Sequence, residues 1–199
     1  ISSLSSYVLI SLGRQPMALT AAYRYLVLGT IGATFYLIGV GLLYQATGTL
    51  NIADLAVRVS ELSDSRSVRA AFGFMTVGIG IKLALFPLHV WLPNAYAYAP
   101  SVSSAFLAAT ATKVSIYVLI RVFYTIFGPA FSFETLPLDW VLLPLAIIAM
   151  FAGSVIAIFE VDVKRMLAYS SVAQIGYIIL GISLASVLGL TGGLLHLFN

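Results

Sequence analysis

Residues 70–113 read AAFGFMTVGIGIKLALFPLHVWLPNAYAYAPSVSSAFLAATATK, and this stretch decides the class of fold. Lys82 and Lys113 are its only side chains with a fixed charge. A lysine at the centre of a lipid bilayer costs roughly 2.5–3.5 kcal/mol on insertion scales. We therefore expect a chain that carries two such lysines to use them.

The composition of the whole chain indicates a membrane protein. Hydrophobic residues make up 61% of the 199 residues and charged residues 9%, whereas a soluble domain has about 25% charged residues. Several apolar runs approach the roughly 18–20 residues that a helix needs to cross a bilayer. We predict an all-α polytopic membrane protein with the lipid bilayer as its surroundings. The net charge of +3 comes from scattered residues, so nucleic acid is not expected as a partner.

Apolar runs and helix-stop signals divide the chain into seven predicted spans, which form a single transmembrane domain. The third span is interrupted by Pro87 and Pro93, because proline removes a backbone donor and clashes with the preceding turn. A helix broken inside the membrane often marks a transport path, and an ordinary helix end followed by an interfacial loop explains the same residues equally well. The predicted spans are residues 1–12, 25–44, 70–98 (broken), 101–120, 140–159, 166–188 and 190–199 (partial).

The two ends of the chain read as helices already under way or cut short. The sequence has no initiator Met, and its first and last predicted spans are too short to cross a bilayer. We therefore expect the chain to be a fragment of a longer protein.

Lys82 and Lys113 are predicted to lie near the middle of the membrane. Each follows the start of its span by 12 positions (82 − 70 and 113 − 101), or about 18 Å of helix. Small residues mark helix contacts in membranes, and each lysine continues a stripe of small or flexible side chains. The stripes are Ala71, Met75, Gly78 and Lys82, and Ser101, Ala105, Ala109, Lys113 and Tyr117. Both ammonium groups are therefore expected to face a protein interior.

These lysines suit a proton relay. All seven acidic residues fall in loops or at span ends, so each deep lysine needs water, a neutral form or an acid elsewhere. Ionisable side chains inside membranes often mark proton paths. Three hydroxyl residues near Lys113 could hold water along such a path: Thr110, Thr112 and Ser115.

The two histidines are open to more than one interpretation. His89 lies beside the proline break, and His196 is an isolated imidazole in an apolar run. Either could belong to a proton relay, although a lone histidine more often makes a structural hydrogen bond. No Walker loop, metal-ligand cluster or Ser/His/Asp set is visible, and the chain has no cysteine. We expect no cofactor, metal or catalytic site of its own.

Three motifs carry a resemblance to a known family. KLALFPLHVWLPNAYAYAPSVSSAFLAATATKVSIYVLIR is followed by DVKRMLAYSSVAQIGYIILG and then by LTGGLLHLFN. In this order they closely resemble the proton-conducting, antiporter-like subunits shared by Mrp cation/proton antiporters, respiratory complex I and membrane-bound hydrogenases. LAYSSVAQIGY followed by GLLHLFN resembles the D-type subunit of Mrp antiporters most.

The resemblance implies a fold and a set of site residues. It implies a transporter of about 14 helices with two inverted five-helix repeats, each containing a broken helix. It implies that Lys82 is the lysine of the first broken helix, Lys113 the central lysine of the next helix, and His196 a further relay member. The family's glutamate would fall just before Ile1, and the turn EVDVKR at residues 160–165 would face the cytoplasm.

The resemblance also implies a function. It implies proton translocation in a multisubunit Na⁺(cation)/H⁺ antiporter, with other membrane subunits as partners and protons and Na⁺ as ions. The alternative is the proton-pumping membrane subunit of an NADH:quinone oxidoreductase or membrane-bound hydrogenase, whose redox centres would lie in other subunits. Either would be a multi-pass protein of a prokaryotic plasma (inner) membrane.

Overall fold

The computed structural model describes residues 2–198, which form an all-helical bundle without a strand in that range. Two π-helical segments, Arg121–Ile126 and Ala130–Thr135, lie between the sixth and seventh α-helices. The α-helices are α1 Ser2–Ser11, α2 Pro16–Thr47, α3 Ile52–Glu61, α4 Arg66–Leu83, α5 Trp91–Tyr98, α6 Ser101–Ile120, α7 Asp139–Phe159, α8 Val163–Ser183 and α9 Val187–Phe198.

Four helices in the described part of the chain are long and apolar enough to cross a membrane. They are α2, α6 with the π-helical segment that extends it to Ile126, α7 and α8. The shorter α4 has 18 residues and carries three basic side chains, Arg66, Arg69 and Lys82. The bundle is therefore that of a polytopic membrane protein, as the sequence predicted.

The predicted broken helix is confirmed. Helix α4 ends at Leu83, and Ala84 adopts a left-handed conformation with φ of 61°. No helix forms again until Trp91. Pro87 lies inside the break, but Pro93 does not: it occupies the first turn of α5, where helical N–H groups lack partners and proline costs little.

An indole joins the two halves of the broken helix. Trp91, the first residue of α5, donates from Nε1 to the carbonyl oxygen of Ile81 in the last turn of α4, at 2.8 Å. The same carbonyl also accepts a hydrogen bond from the Ala84 amide at 3.2 Å. The indole therefore adds a second donor at the point where the helical ladder stops.

The small-residue stripe of α4 packs as predicted. Ala71, Met75 and Gly78 are buried, and a Cβ on Gly78 would meet the carbonyl oxygen of Gly32 in α2. The two backbones approach closely because neither residue has a side chain at that point.

The corresponding expectation for α6 was wrong within the described chain. Its stripe at positions 101, 105, 109, 113 and 117 is exposed on every member. The buried side chains of α6 lie on another face: Ser103, Leu107, Thr112, Ile116 and Leu119. Helix α6 turns this larger, mostly apolar face towards its neighbours and leaves the small residues outside.

The turn between α8 and α9 also differs from the prediction. The sixth span was expected to reach residue 188, but α8 ends at Ser183 and α9 begins at Val187. Ala185 has φ of 47°, and the Ser186 hydroxyl accepts a hydrogen bond from the Gly189 amide. The chain therefore reverses direction within an apolar run, where the sequence gives no proline or charge to mark the turn.

Helix α3 is amphipathic and connects α2 to α4. Leu55 and Val59 are its buried residues. The Arg58 guanidinium donates to Asp54 at 3.0 Å and to the Thr47 carbonyl at the end of α2 at 2.8 Å. The hydrogen bond from Arg58 holds the pKa of Asp54 below its ordinary value.

Candidate functional site

Lys82 lines a cavity of 310 Å³ that is bounded by α1, α2, α4, α5 and α6. Its side chain is half-buried, and Nζ donates to the hydroxyl oxygen of Ser3 in α1 at 2.6 Å. The other polar side chains of this cavity are all hydroxyls: Ser5, Ser6, Tyr25, Thr110 and Ser115, with the indole of Trp91 beside them.

The end of α4 favours a cation at this position. Lys82 lies in the last turn of α4, immediately before the break. A helix C-terminus carries partial negative charge, and a cation there is typically stabilised by about 0.3–1 kcal/mol. The break therefore places a helix end, and its field, beside the ammonium group.

Lys113 lines a separate cavity of 350 Å³ bounded by α6, α8 and α9. Its side chain is exposed in this chain, and Nζ donates to the carbonyl oxygen of Ala108 in its own helix at 3.0 Å. Thr112, Ser171, Gln174 and His196 are the other polar side chains of this cavity. The structure thus brings Lys113 and His196 to one cavity and leaves Lys82 in another.

His196 is held by two side chains of α8. Its Nε2 forms a hydrogen bond of 2.5 Å with Oε1 of Gln174. Its ring meets that of Tyr177 edge-on, with centroids 5.6 Å apart. With Oε1 as the acceptor, Nε2 carries the proton, so the neutral imidazole has its lone pair on Nδ1.

Gln174 and Ser171 were not predicted from the sequence. Ser171, Gln174, Ile175 and Ile178 follow helical spacing and form the cavity face of α8. An amide in an apolar span was the available signal, since polar side chains inside membranes tend to be functional or to bond between helices. The missing information was the partner, which lies 22 residues further along the chain.

The three predicted hydroxyl residues are divided between the cavities. Thr112 lines the Lys113 cavity, whereas Thr110 and Ser115 line the Lys82 cavity. The Thr110 and Ser115 hydroxyls donate to carbonyls one turn earlier in α6, at 2.8 Å and 2.9 Å. Their oxygens remain available as acceptors for water in the cavity.

His89 lines neither of the two cavities. Its ring stacks on Phe86 with centroids 5.1 Å apart. The structure therefore does not bring His89 to either lysine.

Residues 2–198 contain no group of three or more His, Cys, Asp or Glu side chains that could hold a metal ion. The polar groups of the two cavities are ammonium, imidazole, amide, indole and hydroxyl groups. Such a set can hold water and exchange protons.

A family model described as NADH:quinone oxidoreductase/Mrp antiporter, TM, matches residues 1–199. The chain belongs to this family. The resemblance seen in the three sequence motifs is therefore confirmed.

Two relatives represent the two branches of the family. The N subunit of NADH-quinone oxidoreductase from Desulforudis audaxviator is 50% identical over 202 residues, covering 100% of this chain and 39% of the relative. The D subunit of an Na(+)/H(+) antiporter from Alkalihalophilus pseudofirmus is 35% identical over 196 residues, covering 98% of this chain and 38% of the relative. The chain thus spans about two fifths of the length of these relatives.

Chains in three solved structures share the fold. The membrane-bound sulfane sulfur reductase, an archaeal respiratory membrane complex, matches with a TM-score of 0.87 at 32% identity, over 100% of this chain and 40% of that one. A chain of the Mrp complex from Dietzia sp. matches with a TM-score of 0.86 at 32% identity. The match covers 98% of this chain and 36% of that one. A chain of respiratory complex I from Thermus thermophilus matches with a TM-score of 0.73 at 30% identity. The match covers 98% of this chain and 43% of that one.

Proposed function

We propose that this chain is the proton-translocating part of an antiporter-like membrane subunit, in which protons pass by way of Lys82 and Lys113. One observation carries the proposal. Two cavities lie on different faces of α6, and each contains a single lysine among groups that can hold water. Lysines inside membranes are costly and tend to be functional.

Each cavity is large enough to hold several water molecules. The volumes are 310 Å³ and 350 Å³, and one water occupies about 30 Å³ of liquid. In the first cavity the Lys82 amine exchanges a proton with water that the Thr110 and Ser115 oxygens order. In the second cavity, the Lys113 amine and the Nδ1 atom of His196 exchange protons with water.

The exposure of Lys113 supports a larger assembly. An ammonium group in contact with acyl chains near the bilayer centre would cost roughly 2.5–3.5 kcal/mol. The outer face of α6 is exposed in this chain, and the chain spans 39% of a 50% identical relative. We infer that further protein covers this face, either from the rest of the subunit or from neighbouring membrane subunits.

The relatives support two settings for this translocation. The antiporter relative and the Mrp structure support an Na⁺/H⁺ antiporter in a prokaryotic plasma membrane. The oxidoreductase relative, whose 50% identity is higher than the 35% of the antiporter relative, supports a proton-pumping subunit of a redox complex. The same two lysine cavities would serve in either setting.

The proposal is tested with Lys82→Ala and Lys113→Ala in the full-length subunit, assembled with its partners and reconstituted into proteoliposomes. We expect each variant to lose proton flux while the complex still assembles. Arg24→Ala is the matched control, because Arg24 is an exposed basic residue of α2. Normal flux in both lysine variants would refute the relay.

The driving force separates the two settings. Proton flux that follows an imposed Na⁺ gradient without any electron donor indicates the antiporter. Flux that appears only while quinone is being reduced indicates the redox complex.

A further inference from the structure

Helix α5 depends on its neighbours for its position. It has eight residues and is cut off from α4 by the break. Its position is set by tertiary contacts with the helices packed against it, chiefly α2 and α8.

Two adjacent basic residues at the start of α8 supply such contacts. Lys164 donates from Nζ to the carbonyl oxygen of Ala99, the capping residue that follows α5, at 2.9 Å. Arg165 donates from Nη2 to Oδ1 of Asn94, within α5, at 3.1 Å. Positive charge at a helix C-terminus also interacts favourably with the helix dipole.

The basic pair is itself fixed in place by α8. Asp162 caps α8, its side chain accepting a hydrogen bond from the Arg165 amide at 3.0 Å. This bond sets the start of the helix and the direction in which the next side chains leave it. The turn that the sequence shows as EVDVKR is thereby joined to the second half of the broken helix.

The opposite end of α5 belongs to the Lys82 cavity. Trp91 lines that cavity, and its indole is bonded to the Ile81 carbonyl next to Lys82. Helix α5 thus runs from the basic pair at one end to the lysine cavity at the other. A shift of α5 at the basic pair would be transmitted to Trp91.

We propose that Lys164 and Arg165 are positioning residues that hold α5 in place and so set the shape of the Lys82 cavity. Their effect on transport rests on the function proposed above, whereas their effect on the cavity does not. Because α8 also carries Gln174, the partner of His196, one helix supports both cavities.

The shape of the cavity can be followed by cysteine labelling. These 199 residues contain no cysteine, so Thr110→Cys places one thiol in the Lys82 cavity, in a full-length complex freed of any other cysteine. The probe is a water-soluble maleimide, and the measurement is its labelling rate. Lys164→Met and Arg165→Met are compared with Arg24→Met, an exposed basic residue that lines neither lysine cavity.

We expect each of the two basic-pair variants to change the labelling rate of the thiol at position 110 by about tenfold, the order of effect of one lost charged hydrogen bond. Asn94→Ala should reproduce the effect of Arg165→Met, and the double variant should add little to either. Arg24→Met should leave the rate unchanged. Equal rates in parent, Lys164→Met and Arg165→Met would overturn the proposal.

A second thiol distinguishes a local effect from general loss of structure. Val187→Cys lies on exposed surface at the start of α9, so its labelling should not respond to the basic-pair variants. A parallel change at positions 110 and 187 would show a role in overall stability and would also overturn the proposal. Cysteine labelling does not depend on transport. A negative labelling result would therefore overturn the role of the basic pair without contradicting the proposed function.

Discussion

Lys82 and Lys113 line cavities of similar volume, 310 Å³ and 350 Å³, yet the protein holds them in different ways. Lys82 is half-buried and donates across the bundle to Ser3, 79 positions away in the sequence. Lys113 is exposed and donates to Ala108 in its own helix. The first cavity is bounded by five helices and the second by three.

The difference lies in how each lysine is placed: Lys82 lies among five helices of this chain, whereas Lys113 projects from a face of α6 that this chain leaves exposed. In the proposed relay, the Lys82 amine would depend on packing among α1, α2, α4, α5 and α6. The Lys113 amine would depend on α6, on the Gln174–His196 pair and on any further protein against the exposed face of α6. The two sites should therefore respond differently to substitutions in the bundle.

The largest effect is expected from Gly78→Val, which tests the packing beneath Lys82. A Cβ on Gly78 would meet backbone atoms of Gly32 and Tyr36 in α2. Overpacking of this kind costs about 1–3 kcal/mol, and thermal unfolding of the purified complex measures the loss. Gly73→Val on the same helix is the control, because a Cβ at Gly73 has no neighbour within 4 Å. Equal melting temperatures for the two variants would contradict the close α2–α4 contact.

A smaller effect is expected from Ser3→Ala, which removes a partner of Lys82 that Lys113 does not share. Loss of one hydrogen bond of about 1 kcal/mol should raise acylation of the Lys82 amine by a water-soluble reagent about fivefold. Mass spectrometry measures the modification, with Lys113 as the internal reference. Ser11→Ala is the control, because the Ser11 hydroxyl bonds within its own helix. A rise at both lysines alike would mean that Ser3 acts on the whole bundle.

The smallest effect is expected from Gln174→Leu, which disturbs the second cavity only. Side-chain hydrogen bonds between membrane helices average about 0.6 kcal/mol, so the fold should survive. The ¹⁵N NMR signals of His196 should change from one tautomer to a mixture, because the Nε2 proton loses its acceptor. Gln45→Leu, on an exposed position of α2, should leave these signals as they are. A single unchanged tautomer in Gln174→Leu would show that something else orients the ring.

Much of the fold was predictable because it depends on local chemistry. The apolar composition predicted membrane-spanning helices, and Pro87 in an apolar run predicted that a helix would stop there. Three motifs in order identified the family. The direction in which Lys113 points was not predictable. A stripe of small residues shows where another helix can pack closely, but it does not show whether a helix of the same chain packs there.

The contacts of the site were also beyond the sequence. Ser3 and Lys82 are 79 positions apart, and Gln174 and His196 are 22 apart. Nothing in the spacing of single polar residues determines which of them will meet across a bundle. Likewise, Thr110, Thr112 and Ser115 all line a lysine cavity, but only the packing of α6 shows that they serve two different ones.

The indole that closes the break gives this region an optical reporter. Trp91 and Trp140 are the two tryptophans of the chain. Trp91 is 5% exposed, bonded to a carbonyl and 5.1 Å from the ring of Tyr25, whereas Trp140 is 80% exposed. With Trp140 replaced by Phe, the emission of this segment comes from Trp91 alone. Its wavelength and quenching then register whether the two halves of the helix remain joined, without any added dye.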